Sequence, residues 1–191
     1  MKDKVILTDV DGVLLDWEYH FYKWVKEEYD LLPLTTHTYR IDETLAIDYK
    51  TSRKMTVKFN SSVNMKYLSP FRDAVKYIRK LHEEHGFIFH VITSQTNDIR
   101  AQNWRKQNLI DVFGNVFDGF TIIGCGDDKT EALSVWDGSE CYWIEDKEEN
   151  IIMGDEFGLD GLLMSNDHNL GAFSSRRVNN WKEVYRIITG E

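Results

Sequence analysis

The chain has two prolines, two cysteines and no long apolar run among its 191 residues, and its charge leans one way, to a formal net −9. Each shortage excludes something. Two thiols, Cys125 and Cys141, do not make a disulfide framework and suit a reducing compartment. The apolar start at Val5–Leu7 is broken at once by Thr8 and Asp9, too short for a signal peptide or a membrane span, so a cytoplasmic protein with no membrane partner is expected. The acidic balance offers no basic field to a polynucleotide backbone. That counts against a nucleic-acid partner, and a phosphate-bearing ligand would need local cations instead. No stretch is rich enough in Gly or Pro to act as a linker between two full domains, and neither repeats nor low-complexity tracts occur.

What is present is a hydrophobic share of 42% with six Trp, nine Tyr and ten Phe, enough for a true core. A chain of this length buries roughly 70% of its unfolded surface. Short apolar runs recur between polar turns at Val5–Leu7, Phe87–Ile92, Phe120–Ile123, Cys141–Ile144 and Gly161–Met164. Amphipathic segments alternate with them. Phe71, Ala74, Val75, Ile78 and Leu81 fall at helical spacing, which predicts a helix with Ser69 as N-cap and Pro70 in its first turn. Asp98–Gln107, Thr130–Trp136, Glu148–Phe157 and Asn180–Thr189 read as further helices. Strand–helix alternation of this kind predicts an α/β protein: a doubly wound, Rossmann-like parallel sheet covered on both faces, with its ligand crevice beyond the carboxyl ends of the strands. Residues 17–68 break the rhythm. They hold a helix at Trp17–Tyr29, a polar turn region at Pro33–His37 and a mixed segment at Asp42–Phe59, and read as a small helical cap inserted after the first strand, leaving 1–16 and 69–191 as the α/β core.

Four strand ends carry chemistry. The first run delivers Asp9 and Asp11 into Gly12, and two carboxylates so close need a cation or a shared proton to offset their repulsion. A calcium loop is the obvious rival, but the EF-hand pattern wants Gly at its sixth position and ligands where this chain has Val13 and Leu15. The second run ends in Thr93 and Ser94, hydroxyls suited to holding an anion at a strand-to-helix turn. The third leads to Lys129 at a helix start, where a cation sits poorly unless an anion is near. The fourth ends in Glu145 and Asp146. Each alone is ordinary as a cap, a surface charge or a helix-opening acid. As an ordered set on one sheet edge, they point to a functional site.

That set resembles the haloacid-dehalogenase-like (HAD) phosphohydrolase superfamily, whose four motifs match as DVDGV at 9–13, Thr93, Lys129 and Glu145–Asp146, over essentially the whole chain. The resemblance implies a HAD-like core with residues 17–68 as its first cap insertion. It also implies an aspartyl-phosphate intermediate on Asp9, Asp11 as general acid and base, Thr93, Ser94 and Lys129 holding the phosphate, and Mg²⁺ held by Asp9, the Asp11 carbonyl and Asp146. Glu145 is left for the metal's outer surroundings. Val13 stands where many superfamily phosphatases have Thr. Val there is similar to the 5′(3′)-deoxyribonucleotidase group, as are the small helical cap, Asp128-Lys129-Thr130 and Trp181.

Substrate choice falls to the cap, because the strand-end groups see only phosphate. Trp17, Phe21 and Trp24 share one helix face and read first as packing, with base stacking as the alternative. Lys50, Arg53, Lys54 and Lys58 form a basic stripe, a solvated face or a lure for an anionic substrate. The expected partner is a small phosphorylated metabolite, foremost a nucleoside monophosphate. A sugar phosphate, a polynucleotide 3′-end and a non-enzymatic phospholigand-binding domain are the alternatives.

Overall fold

Along the central strands, neighbouring residues bury on opposite sides, as the two-residue period of a strand requires. Ile6, Phe89, Val91, Ile144 and Leu162 belong to one core cluster, and Leu7, Ile92, Trp143 and Leu163 to another. This two-sided burial is what a parallel sheet between helical layers demands. The computed structural model describes residues 4–172 and 176–191; the polar start at residues 1–3 falls outside them. Six parallel strands, β1 (Val5–Thr8), β2 (Ile88–Gln95), β3 (Phe117–Gly124), β4 (Tyr142–Glu145), β5 (Asp160–Met164) and β6 (Arg177–Val178), lie in the order β3-β2-β1-β4-β5-β6. The chain winds outward from β1 to β3, then crosses back to β4 on the other side. The reversal places a crevice at the carboxyl ends of β1 and β4.

Helices α4 (Ala74–His85), α5 (Ile99–Phe113) and α8 (Trp181–Thr189) pack Ile78, Leu81, Leu109 and Val184 into the first cluster. Helices α6 (Thr130–Ser134) and α7 (Glu148–Glu156) bring Leu133 and Ile151 to the second. Among the described residues no helix is long and apolar enough to cross a membrane.

The start of α4 differs from the sequence expectation. Residues 69–71 do not open a helix; they pair with the segment after β1, Asp16 N–H donating to Ser69 O at 2.9 Å and Phe71 N–H to Leu14 O at 2.8 Å. Those bonds hold the backbone extended, and the helix begins only at Ala74. Asp73 precedes it, yet its carboxylate accepts from the backbone N–H groups of Trp181 and Lys182, at 2.9 and 3.1 Å, and so caps α8 instead.

Residues 17–68 contribute α1 (Trp17–Tyr29), α2 (Ile41–Leu45), α3 (Tyr49–Asn60) and a 3-10 turn at Val63–Lys66, with no strand among the described residues. Their apolar side chains Phe21, Val25, Leu45, Met55, Phe59 and Met65 join the same cluster as Ile6 and Phe89. The aromatic stripe is mostly packing. Phe21 is fully buried and stacks on Trp17 at 4.6 Å, while the edge of Phe59 closes on both rings.

Candidate active site

The loop after β1 is built to deliver carboxylates. Leu14 and Leu15 N–H groups fold back onto Val10 O at 2.8 and 2.9 Å, and Trp181 Nε1 donates to Val13 O at 2.8 Å. Gly12 takes φ +72°, and a Cβ there would stand 2.3 Å from an Asp146 carboxylate oxygen. Only glycine fits both the conformation and the approach. Asp9 N–H donates to Ile144 O at 2.9 Å, extending the β1–β4 pairing by one residue and bringing Asp9 level with the end of β4.

Carboxylate oxygens of Asp9, Glu145 and Asp146 lie within 4.8 Å of one another, all three residues buried. Lys129 Nζ answers them, 2.9 Å from Asp9 Oδ1 and 2.7 Å from Glu145 Oε2, and donates to Ile92 O at 3.0 Å. One ammonium against three carboxylates leaves the cluster strongly acidic. Burial, reinforced by Glu145, pushes Asp9 up to about 6. Burial, reinforced by Asp9, pushes Asp146 up to about 7. Burial opposes the charge on Lys129, but Asp9 and Glu145 outweigh it and raise the ammonium above its ordinary value. An oxygen-seeking divalent cation fits this donor set, because it would relieve the repulsion that holds both aspartates high.

Glu145 is occupied differently from the other two. Its Oε1 accepts from the N–H groups of Asp146 and Lys147 at 2.9 and 3.1 Å, and its Oε2 from Lys129 and from Asn150 Nδ2 at 2.7 and 2.9 Å. Four donors saturate the carboxylate, so its place is behind Lys129. The Asp11 carboxylate stands apart from the acidic group and meets Arg105, which donates from Nη1 to Oδ1 and, at 3.4 Å, from Nη2 to Oδ2. Burial pushes Asp11 above the ordinary carboxylate range against the lowering pull of Arg105.

These groups floor a cavity of about 570 Å³. Thr93 and Ser94 line it, but from inside β2: pairing continues through Ser94↔Ile123 and Gln95↔Gly124, so the hydroxyls sit on the strand and not at the turn into α5. Of the basic stripe, Arg53 reaches the cavity, its guanidinium 3.9 Å from Cys125 Sγ and 3.5 Å from Cys125 O. Lys50 and Lys54 are exposed and do not line it, and Lys58 turns to Glu28 and Tyr29. Trp17 lines the cavity, its Nε1 donating to Asn60 Oδ1 at 2.7 Å, whereas Phe21 and Trp24 do not.

Sequence reasoning missed Arg105, Asn166, His168 and Tyr39. Asn166 Nδ2 donates to Gly12 O at 3.0 Å, and His168 Nε2 lies 3.2 Å from Asp146 Oδ2. Both follow β5, so the strand-end rule that found the other four groups applied to them as well. Tyr39, another lining residue, packs edge-on to His168 at 5.1 Å from a polar turn with no periodic signal.

No protein-family model matches the chain. A curated relative, the uncharacterized 32.4 kDa protein in the Gp30-rIII intergenic region of Enterobacteria phage T4, is 29% identical over 140 residues, 66% of this chain. The match spans only 46% of that protein's length. Solved structures agree over nearly the whole chain. A haloacid dehalogenase-like family hydrolase from Streptococcus pneumoniae has a TM-score of 0.63 at 16% identity, covering 97% of this chain and 98% of that one. D,D-heptose 1,7-bisphosphate phosphatase from B. bronchiseptica, complexed with magnesium and phosphate, has 0.62 at 12%, covering 98% and 99%. CbbY from Rhodobacter sphaeroides, in complex with phosphate, has 0.59 at 15%, covering 95% and 96%. The fold is the Rossmann-like α/β fold of HAD-superfamily hydrolases.

Proposed function

We propose that the protein is a Mg²⁺-dependent phosphomonoesterase that works through a phosphorylated Asp9. The observation that carries this reading is the buried group of Asp9, Glu145 and Asp146 with Lys129 set against it, at the carboxyl ends of β1 and β4. Such a group is costly to bury and suits a ligand bringing both a cation and an anion. Asp9, the Asp11 carbonyl and Asp146 would hold Mg²⁺. When bound, the ion neutralises phosphate oxygens and keeps Asp9 ionised.

The chain's own residues divide the rest. An Asp9 oxygen attacks phosphorus, and the P–O bond to the leaving group breaks while the Asp11 carboxyl passes its proton to the departing oxygen. Water then attacks the aspartyl phosphate, losing a proton to Asp11 and freeing phosphate from Asp9. Lys129, Thr93 and Ser94 orient the phosphate oxygens, and Glu145 keeps Lys129 in place. Residues 17–68 act as a cap over the α/β core.

The favoured substrate is a nucleoside monophosphate, as in the 5′(3′)-deoxyribonucleotidase group. Support comes from Trp17, Tyr22, Tyr39 and Tyr49, which place aromatic surface around the cavity. A haloacid substrate, suggested by the dehalogenases among similar structures, would bring its carboxylate to an acidic floor that Lys129 offsets only in part, and would make no use of the divalent cation which that floor fits.

Turnover of p-nitrophenyl phosphate with Mg²⁺, lost on chelation and in Asp9→Asn, is the expected result. Magnesium-independent release of halide from a haloacid, with no phosphate hydrolysed, would overturn it. A panel of deoxynucleoside monophosphates against sugar phosphates then reads the finer choice.

A further inference from the structure

Arg105 is a guanidinium in the wrong place for stability. It projects from the middle of α5 with its side chain 1% exposed, donating from Nη1 and Nη2 to the Asp11 carboxylate and from Nη2 to Met65 Sδ at 3.1 Å. Its Nε is buried and has no hydrogen-bond partner among the described residues. A buried ion pair commonly does no better for stability than an apolar pair of the same volume. An orphaned buried donor adds a cost of roughly 1–3 kcal/mol. Asp11 does not need the pairing for solvation either, since its side chain is 30% exposed to the cavity. What the guanidinium supplies is direction. A two-pronged fork fixes both the position and the plane of a carboxylate, which a single point charge does not.

The direction is specific. Asp9, Glu145 and Asp146 draw together, while Asp11, two residues from Asp9, is held outside their group against Arg105. One turn further along α5, Asn108 clasps the backbone of Leu68, accepting from its N–H and donating to its carbonyl, both at 3.1 Å. Met65 and Leu68 are where the inserted segment returns to the sheet, so one face of α5 grips both Asp11 and that return point.

We propose that Arg105 is the positioning residue for the proton-transferring carboxyl of Asp11, holding it toward the leaving oxygen and out of the metal-binding group. This deepens the phosphatase reading and rests on it. Arg105 does not line the cavity; it acts through Asp11.

A positioning role predicts damage confined to proton delivery. The test is kcat/KM over a series of aryl and alkyl phosphates whose leaving groups differ in basicity, with wild type, Arg105→Met, Arg105→Lys and Asp11→Asn. Nitrophenolate departs without help, whereas an alkoxide needs the proton. Arg105→Met should therefore lose about 10- to 100-fold more on the alkyl esters than on p-nitrophenyl phosphate, a share of the 10²–10⁴-fold worth of general acid catalysis. Arg105→Lys, keeping the charge without the fork, should fall between. Adding Arg105→Met to Asp11→Asn should not steepen the dependence further. An equal loss on every leaving group, or a wild-type dependence in a folded Arg105→Lys protein, overturns the inference while the phosphatase reading stands. If Arg105→Met does not fold, Arg105→Lys alone decides. A wild type that hydrolyses no phosphate ester sinks the phosphatase reading, and this inference with it.

Discussion

Stripping divalent cations should make the protein less stable as pH rises from about 4 to 8. Burial first, and the charge of Asp9 second, lift Asp146 from 3.8 to about 7; burial and then Glu145 lift Asp9 to about 6. A carboxyl that holds its proton more tightly when folded contributes its full stability below the unfolded value and loses it as pH climbs through the folded one. For Asp146 alone the window runs from about 4 to about 7, and the loss is ~4 kcal/mol at 1.36 kcal/mol per pH unit. Asp9 titrates with it as a coupled pair, so the two losses do not simply add. In a chain of this size ~4 kcal/mol corresponds to roughly 8–16 °C in Tm. His168 pulls the other way: burial lowers its imidazole below 6.5, so its contribution disappears as pH falls. Urea unfolding in a His168→Asn background removes that opposing contribution from beside Asp146. Mg²⁺ at a hundredfold excess over its Kd should return about 2.7 kcal/mol, most at the alkaline end where the carboxylates are ionised. Asp146→Asn should flatten the slope and abolish the Mg²⁺ effect. Metal-free stability that stays level or rises across the window in the His168→Asn protein would refute the reasoning, as would Mg²⁺ stabilisation surviving Asp146→Asn.

Other outcomes follow from single contacts. Gly12→Ala meets a positive φ and an oxygen 2.3 Å away, so it should destabilise by roughly 1–3 kcal/mol in urea melts and remove most Mg²⁺-dependent turnover. Arg53→Ala should raise KM for a nucleoside monophosphate severalfold with kcat little changed, whereas Lys54→Ala, outside the cavity lining, should leave both constants alone. Phe21→Ala removes a fully buried ring between Trp17 and Phe59 and should cost about 3–5 kcal/mol by denaturant midpoint.

The strands and the floor of the cavity were legible because each depends on local pattern. Apolar runs bounded by turns gave β1 to β5, and chemistry at their carboxyl ends gave Asp9, Asp11, Lys129, Glu145 and Asp146. Strand β6, two residues long, carries no pattern to read. The start of α4 was misread because Ser69-Pro70 is a fair helix opening by its own chemistry, and only pairing with Leu14–Asp16 across the fold keeps it extended. Arg105 was illegible for a related reason. Its spacing from Ala101, Asn108 and Leu109 marks the inward face of α5, but nothing in the helix says that a carboxylate from another loop waits there. The basic stripe divided for want of distance: the helix put four cations on neighbouring turns, and the fold brought only Arg53 within reach of the cavity.

Trp181 reaches across 168 positions to grip the carbonyl of Val13. The turn that follows Asp9 is therefore fastened in part by the first residue of α8, so the loop and that helix are mechanically one piece. Loosening α8 should therefore disturb the Asp9 loop even where the central strands stay paired.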